Sequence, residues 1–141
     1  QNPIPGPMDD YEKSVKRHCG RIGAIEVFLS GPGLENYYKF ISGSKKSSRE
    51  IVSSYKENDS LANEVMDIYF ERIARSFSTF VNILDPDIIV CGGGMSEIDD
   101  IYSEVPKRII PYIASNYFLT PIAKAFHGST SGVRGAAHLW G

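Results

Sequence analysis

The sequence of 141 residues predicts an α/β fold that is rich in helices and contains a small sheet. The first observation is a long stretch, 59–85, in which apolar residues recur every three or four positions, as on a helix with one buried face. The second is a pair of short apolar runs, 87–91 and 121–126, each followed by a glycine-rich loop and a helical segment. The length predicts one domain.

The first third of the chain predicts loops and short helices. Residues 1–21 contain three prolines within their first seven positions and are expected to form a loop. The segment IGAIEVFLSGPGLENYYKFIS then predicts a short apolar helix, a break at Gly31-Pro32-Gly33 and a second helix over 34–42. The N-terminal region is therefore expected to be irregular, with regular structure beginning near residue 22.

Two further helices are expected before the first strand. Ser47 or Ser48 can cap a helix over 49–56, and Asp59 can cap the longest helix. Proline disfavours helical geometry at the residue before it, so Asp85-Pro86 is expected to end that helix. Its apolar stripe consists of Leu61, Val65, Tyr69, Ile73, Phe77 and Phe80, widened by Met66 and Phe70.

The second half alternates strands and helices. The apolar, β-branched run 87–91 predicts a strand of the kind that is buried in parallel sheets. Helices are expected around 101–105 and 107–115, followed by a strand over 121–126. The loop HGSTSG and a closing helix over 133–141 complete the chain.

Bulk properties exclude some classes of function. The formal net charge of -2 gives no reason to expect a nucleic acid or an anionic membrane as partner. No apolar run has the length of a membrane span. Two cysteines, Cys19 and Cys91, are too few for a disulfide framework, so a reducing cytoplasm is expected. A chain that starts on Gln within a proline-rich loop is expected to be a fragment.

Three consecutive glycines, Gly92, Gly93 and Gly94, directly follow the most strand-like run. Glycine loses the most backbone freedom on folding, so three together indicate a sharp turn or the close approach of a ligand. Backbone amides beside a helix start attract phosphate, which would suit a nucleotide. A second such junction, 127–135, contains Gly132 and Gly135. Neither matches GxGxxG or GxxxxGK[ST], and two ordinary strand-to-helix turns remain the alternative.

Other polar residues suggest less. His18 and Cys19 are two adjacent candidate metal ligands, fewer than the four of a structural zinc site. Glu26 lies in an apolar stretch and needs a partner, which could be a neighbouring protein group or the hydroxyls of a sugar. Serine–histidine catalysis has no support, because the chain lacks a GxSxG elbow.

Several motifs together resemble one known family. CGxxGxxE followed by SGxGL, then LDPDIIVCGGGMS, then HGxxxGVRGAA, resemble the C-terminal half of the ROK-family sugar kinases. NPIP, NILDPD and GVRGAAHLW are similar to the bacterial fructokinases, or manno(fructo)kinases, of that family. The resemblance covers nearly the whole chain. It implies the C-terminal lobe of an actin-like, hexokinase-like ATPase fold of the ribonuclease H-like type.

The resemblance also implies roles for single residues. Glu26 matches a glutamate that binds sugar hydroxyls, and Asn2 follows a motif on the same sugar side. The nucleotide side is matched by Gly92, Gly93, Gly94, Gly132 and Gly135.

A departure from the family concerns zinc. Typical members hold a structural zinc with one histidine and three cysteines, and the matching positions here are Gln1, Arg17, Cys19 and Ala24. Only Cys19 remains, so zinc is predicted to be absent. Ion pairing or packing is expected to hold this degenerate zinc loop, residues 1–25, instead.

The activity implied for the intact protein is transfer of the γ-phosphoryl group of ATP, with Mg²⁺, to a hexose, and fructose is expected to give fructose 6-phosphate. The family's DxGGT phosphate loop and its general-base aspartate belong to an N-terminal half, so this chain alone is expected to contain no catalytic residue and to be inactive. A cytoplasmic homodimer is expected. The alternatives are a sugar-sensing module of a ROK-type transcriptional repressor and a pseudo-kinase that dimerises through the 61–80 helix.

Overall fold

The computed structural model describes residues 3–16, 20 and 22–137. It confirms a helix-rich α/β fold with a small parallel sheet. The helices are α1 (Asp10–Ser14), α2 (Ile25–Leu29), α3 (Gly31–Ser42), α4 (Ser48–Lys56), α5 (Ser60–Leu84), α6 (Ile101–Arg108) and α7 (Ser131–Ala137). The strands are β1 (Ile89–Cys91) and β2 (Ile122–Lys124), and short 3-10 turns lie at Gly94–Glu97, Ile110–Tyr112 and Gly128–Thr130.

Helix α5 forms the centre of the core. The Asp59 carboxylate accepts a hydrogen bond of 2.8 Å from the Ala62 amide, as predicted for its cap. The helix ends at Asp85, whose left-handed conformation precedes Pro86. Helices α2, α3, α4 and α6 all contact α5. Its buried apolar face consists of Val65, Met66, Tyr69, Phe70 and Ile73, whereas Phe80 near the C-terminal end is exposed.

The start of α3 differs from the expected break at 31–33. Pro32 lies in the first helical turn, where its missing amide costs nothing because that amide would have no partner in the helix. The break falls one residue earlier, at Ser30, whose hydroxyl accepts from the Gly33 amide. Ser47, one of the two predicted caps, forms a reciprocal capping box with Glu50 at the start of α4.

The N-terminal region is more regular than predicted. Asp9 and Glu12 form a capping box that starts α1, so the expected loop over 1–21 is wrong at residues 10–14. The segment also pairs with the strand-like residues before α2, since Pro3 bridges Ala24 and Lys16 bridges Ile22. The Ile4 amide donates to the Gly23 carbonyl over 2.7 Å.

The two strands form a parallel pair in which Ile89 lies opposite Ile122 and Cys91 opposite Lys124. The prediction of a buried strand over 87–91 is wrong, because Val90 is 58% exposed. Only one face of the pair packs against the core, through Ile122 and its neighbours. The expected helix over 107–115 is also absent. Helix α6 ends at Arg108 and a 3-10 turn follows at Ile110–Tyr112, where Pro111 has no amide hydrogen to continue the α-helical hydrogen bonds.

Several large apolar side chains in and near the two strands are exposed. Phe126 is 96% exposed, and other large apolar side chains are exposed with it. Surfaces of this kind mark interaction sites in soluble proteins. The exposed residues include Ile83, Leu84, Ile88, Val90, Leu119 and Val133. Within the described ranges, no helix combines the length and apolar character needed to cross a bilayer.

Candidate functional site

A cavity of about 500 Å³ lies where the N-termini of α3 and α4 meet the turn that follows β1. Its volume is in the range of small-molecule sites, roughly 300–1,000 Å³. Each helix contributes the positive end of its dipole to the cavity rim. The lining residues are Gly31, Ser48, Arg49, Val52, Gly94, Met95, Glu97 and Ile98.

Local hydrogen bonds fix the two helix starts relative to each other. Ser30 caps α3, and Ser47 caps α4. The Glu35 carboxylate of α3 accepts a hydrogen bond of 2.9 Å from the Ser48 amide, which joins the two N-termini. The capping side chains therefore hold this side of the cavity in one arrangement, and the exposed Arg49 guanidinium supplies a positive charge beside it.

The predicted glycine loop forms the opposite wall. Gly93 has φ 86° and ψ 178°, a conformation that is essentially restricted to glycine. Its carbonyl accepts a hydrogen bond of 2.7 Å from the buried Ser96 hydroxyl. The Tyr102 hydroxyl donates to the Ser96 carbonyl, also over 2.7 Å. The turn is thus a fixed structure, and the glycine at position 93 is required by the backbone itself.

Gly94 lines the cavity for a different reason. Its φ is outside the positive region, and a Cβ built on it meets no other atom within 4 Å. Neither backbone conformation nor packing in the chain therefore explains this glycine. A side chain here would project into open space where a ligand could otherwise contact the backbone. Gly92 is exposed, and a Cβ there would make only an ordinary contact with Ala125.

The second glycine cluster packs beside the first. The turn at Gly128–Thr130 contacts the turn at Gly94–Glu97. Lys124 pairs with Glu97 over 2.5 Å, and this hydrogen bond raises the pKa of the Lys124 ammonium group. Gly132 and Gly135 lie on α7, are exposed, and do not line the cavity. The structure therefore places Gly94 in the cavity wall and these two glycines outside it.

The predicted sugar-side residues are only partly described. Glu26 lies in the first turn of α2, is exposed, and is absent from the cavity lining. Helix α2 leads directly through Ser30 to Gly31, so Glu26 and the cavity lie on consecutive elements. Asn2 and Cys19 lie outside the described residues.

Sequence reasoning missed most of the cavity wall. The sequence predicts Gly31 as part of a helix break. A glycine beside a capping serine also leaves room for a ligand at the start of a helix. A Cβ built on Gly31 would lie 3.4 Å from Ser48 Oγ and 3.5 Å from Met95 Sδ. Val52 and Ile98 carry no local signal, because their role depends on how α4 packs against the turn after β1.

The residues at the family's zinc positions do not fit a zinc ion. Ala24 is buried, bridges Pro3 and carries only a methyl group, which cannot bind a metal. The other three positions, Gln1, Arg17 and Cys19, lie outside the described residues. Where side chains are described, no cluster of three or more His, Cys, Asp or Glu could hold a metal ion.

Comparisons with known proteins show the family of the chain. The family description "ROK family" matches residues 6–141. The chain belongs to the ROK family. Similar ROK sequences include N-acetyl-D-glucosamine kinases from Vibrio atlanticus (strain LGP32), 42% identical over 121 residues, and from Vibrio cholerae serotype O1, 40% identical over 121 residues. Each match covers 86% of this chain and 40% of the relative, so the chain spans well under half of their length.

Solved ROK structures share the fold. The ROK hexokinase from Thermus thermophilus has a TM-score of 0.75 at 20% identity, covering 89% of this chain and 43% of that one. A ROK glucokinase from Streptomyces griseus, solved with glucose and AMPPNP, has a TM-score of 0.74 at 19% identity, covering 86% of this chain and 45% of that one. These likenesses confirm the expected lobe of an actin-like, hexokinase-like ATPase fold. The similarity to N-acetyl-D-glucosamine kinases does not support the expected fructokinase subgroup.

Proposed function

We propose that the cavity binds the adenosine part of ATP. Gly94 and Gly31 would let the nucleotide contact the backbone, and Val52, Met95 and Ile98 offer apolar surface for a purine ring. The two helix N-termini and Arg49 would favour the phosphates. The single observation that carries this proposal is Gly94, a glycine that neither its backbone conformation nor its neighbours require.

The proposed reaction of the intact protein is phosphoryl transfer from ATP to a hexose, with an N-acetylhexosamine such as N-acetyl-D-glucosamine as substrate in place of fructose. The support is the identity of 35–42% to three N-acetyl-D-glucosamine kinases. Glu26 and Asn2 are proposed to bind sugar hydroxyls. Gly92, Gly93, Gly94, Gly132 and Gly135 are proposed to face the nucleotide, the last two from α7.

A second lobe is proposed to complete the site. The curated relatives are about two and a half times as long as the matched part, since it is 40% of each. The exposed apolar side chains of Phe126 and Val133 would then pack against that lobe. The general base would come from there, because the resemblance assigns no catalytic residue to this chain. Mg²⁺, when bound with ATP, neutralises charge on the phosphates. We place the intact protein in the cytoplasm, where ATP is available, as a homodimer.

An ADP-release assay on the intact protein tests this proposal. N-acetyl-D-glucosamine, glucose, mannose and fructose are compared at equal concentrations. We expect kcat/KM for N-acetyl-D-glucosamine to exceed that for fructose by at least about tenfold, the effect of roughly 1.4 kcal/mol in transition-state binding. Higher turnover on fructose would contradict the proposed substrate. Sugar binding without turnover on any hexose would instead favour the sensing module.

A further inference from the structure

Arg75 of α5 holds the N-terminal segment through three separate acceptors. Its Nε donates to the Pro5 carbonyl over 2.7 Å, and its Nη2 donates to the Pro7 carbonyl over 3.1 Å. Its Nη1 contacts both oxygens of Glu12, at 3.1 and 3.3 Å. One buried guanidinium therefore joins two backbone positions and a carboxylate that lie more than 60 residues away in the sequence.

Arg72, one turn earlier, completes a buried cluster. Its Nε donates to Glu12 over 2.9 Å and its Nη2 to Asp9 over 2.9 Å, so both capping-box carboxylates of α1 are bound. Its guanidinium carbon lies 4.1 Å from the centre of the Tyr37 ring. Burial raises the pKa of the Tyr37 hydroxyl although Arg72 opposes it, as expected for a poorly hydrated site. Two buried arginines thus pair with the buried Glu12, and one of them also pairs with Asp9 at the surface.

The cluster is continuous with the candidate sugar side. Gly6, between the two prolines that accept from Arg75, has φ 84°, and this left-handed conformation accompanies the binding of both carbonyls by one side chain. Next to Pro5, the Ile4 amide donates to the Gly23 carbonyl, and Pro3 bridges Ala24. Ala24 is the residue from which α2 and its Glu26 begin. One hydrogen bond from Arg75 to Pro5 and one from Ile4 to Gly23 therefore connect Arg75 to the backbone that leads into α2.

We infer that Arg75 is a positioning residue, which with Glu12 and Arg72 holds residues 3–16 and, through their bridges to residues 22–24, the backbone that leads to Glu26, by ion pairing in place of a structural metal. The inference follows from two observations: Ala24 stands at a ligand position without a donor atom, and the same segment is tied to α5 by a guanidinium. Its sugar-binding consequence rests on the proposed function. Its structural consequence, order in residues 3–16 and 22–24 without metal, does not.

The experiment compares variants of the intact protein. Arg75→Gln removes the charge and weakens the three-way contact, and Arg75→Lys keeps the charge with a single donor group. Arg108→Gln is the matched control, because Arg108 lies on α6 and pairs with Asp67 and Glu104, not with the N-terminal segment. Hydrogen–deuterium exchange of residues 3–24 is measured for each protein before and after exhaustive treatment with EDTA, and the kinetic constants are measured after EDTA is removed and Mg²⁺ is restored.

We expect Arg75→Gln to raise exchange in residues 3–24 by about tenfold or more, as for local opening of that segment alone. The sugar KM is expected to rise by about tenfold while the ATP KM and kcat change by less than about twofold, as for lost uniform binding. Arg75→Lys should recover part of both effects, and Arg108→Gln should show neither. EDTA should leave exchange in the parent protein unchanged.

Several results would overturn the inference or separate it from the proposed function. Faster exchange of residues 3–24 after EDTA, or bound zinc at one equivalent per chain, would overturn the inference. Unchanged exchange in Arg75→Gln would overturn it as well. If Arg75→Gln does not fold, Arg75→Lys carries the same two readouts. If the protein phosphorylates no hexose, the proposed function fails, and the exchange data still decide whether Arg75 orders the segment.

Discussion

Gly31 and Met95 both line the cavity, and a Cβ on Gly31 would lie 3.5 Å from the Met95 sulfur, an ordinary van der Waals contact. Gly31 starts α3, and Met95 lies in the turn after β1. A flexible thioether therefore lies next to a backbone position that has no side chain. This relationship makes the glycines of the cavity the first targets for mutation.

Gly94→Ala should affect ATP binding, whereas Gly93→Ala should affect the stability of the fold. Gly94 has no positive φ and no neighbour within 4 Å of an added Cβ, so Gly94→Ala should change the free energy of unfolding little but raise the ATP KM. Gly93→Ala forces an alanine to φ 86° and should cost about 1–3 kcal/mol. Urea unfolding and steady-state kinetics measure both. A destabilised Gly94→Ala protein with unchanged ATP KM would remove Gly94 from the site.

The glycines of α7 allow a separate test of the nucleotide side. Gly132 and Gly135 lie inside an exposed helix, where alanine is favoured over glycine by about 1 kcal/mol. If a nucleotide approaches this helix in the intact protein, Gly135→Ala should stabilise the protein without ATP and weaken ATP binding. Thermal unfolding with and without ATP measures both effects. An equal stabilisation in both conditions would argue that the nucleotide does not contact Gly135.

Glu26→Gln tests the sugar side. The substitution keeps the size of the side chain but removes its charge, so one or two hydrogen bonds to sugar hydroxyls should weaken. Bonds to charged groups contribute about 1.5–3 kcal/mol, which predicts a rise of roughly tenfold or more in the sugar Kd. Calorimetry with the sugar, and separately with ATP, measures the effect. Glu35→Gln, at the α3–α4 junction, is the comparison; equal sugar affinity in parent and Glu26→Gln proteins would refute the assignment.

Arg72→Met should be strongly destabilising. The arginine is 2% exposed and Glu12 is fully buried, so the variant leaves Glu12 with one partner fewer inside the fold. Breaking a buried pair costs about 3–5 kcal/mol. Arg108→Met, which removes a more exposed arginine, should cost less than about 1 kcal/mol. Urea unfolding gives the free energy of unfolding of both arginine variants. The single variant Glu12→Gln and the double variant Arg72→Met/Glu12→Gln give the coupling energy between Arg72 and Glu12. Similar costs for Arg72→Met and Arg108→Met would contradict the importance of the cluster.

Local sequence signals predicted a large part of the fold. The caps at Asp59 and Ser47 are confirmed. They could be predicted because each capping side chain bonds an amide three residues away and needs no partner distant in the sequence. The helix at 10–14 was missed because the neighbouring prolines outweighed the Asp9–Glu12 capping pattern. The burial of the strand at 87–91 was wrong because burial depends on what covers each face, and Val90 lies on an uncovered one.

By itself the sequence determined the helix-rich α/β class, the positions of the two glycine junctions and the loss of zinc ligands at 1–25. Each of these features depends only on residues that are close together in the sequence. Only the tertiary structure decided that Gly94 faces a cavity with Gly31 while Gly132 and Gly135 do not. It also decided that Glu12, Arg72 and Arg75 meet in the core. The physical reason is distance along the chain: contacts between residues about 60 apart depend on how whole helices pack, and no local pattern encodes that packing.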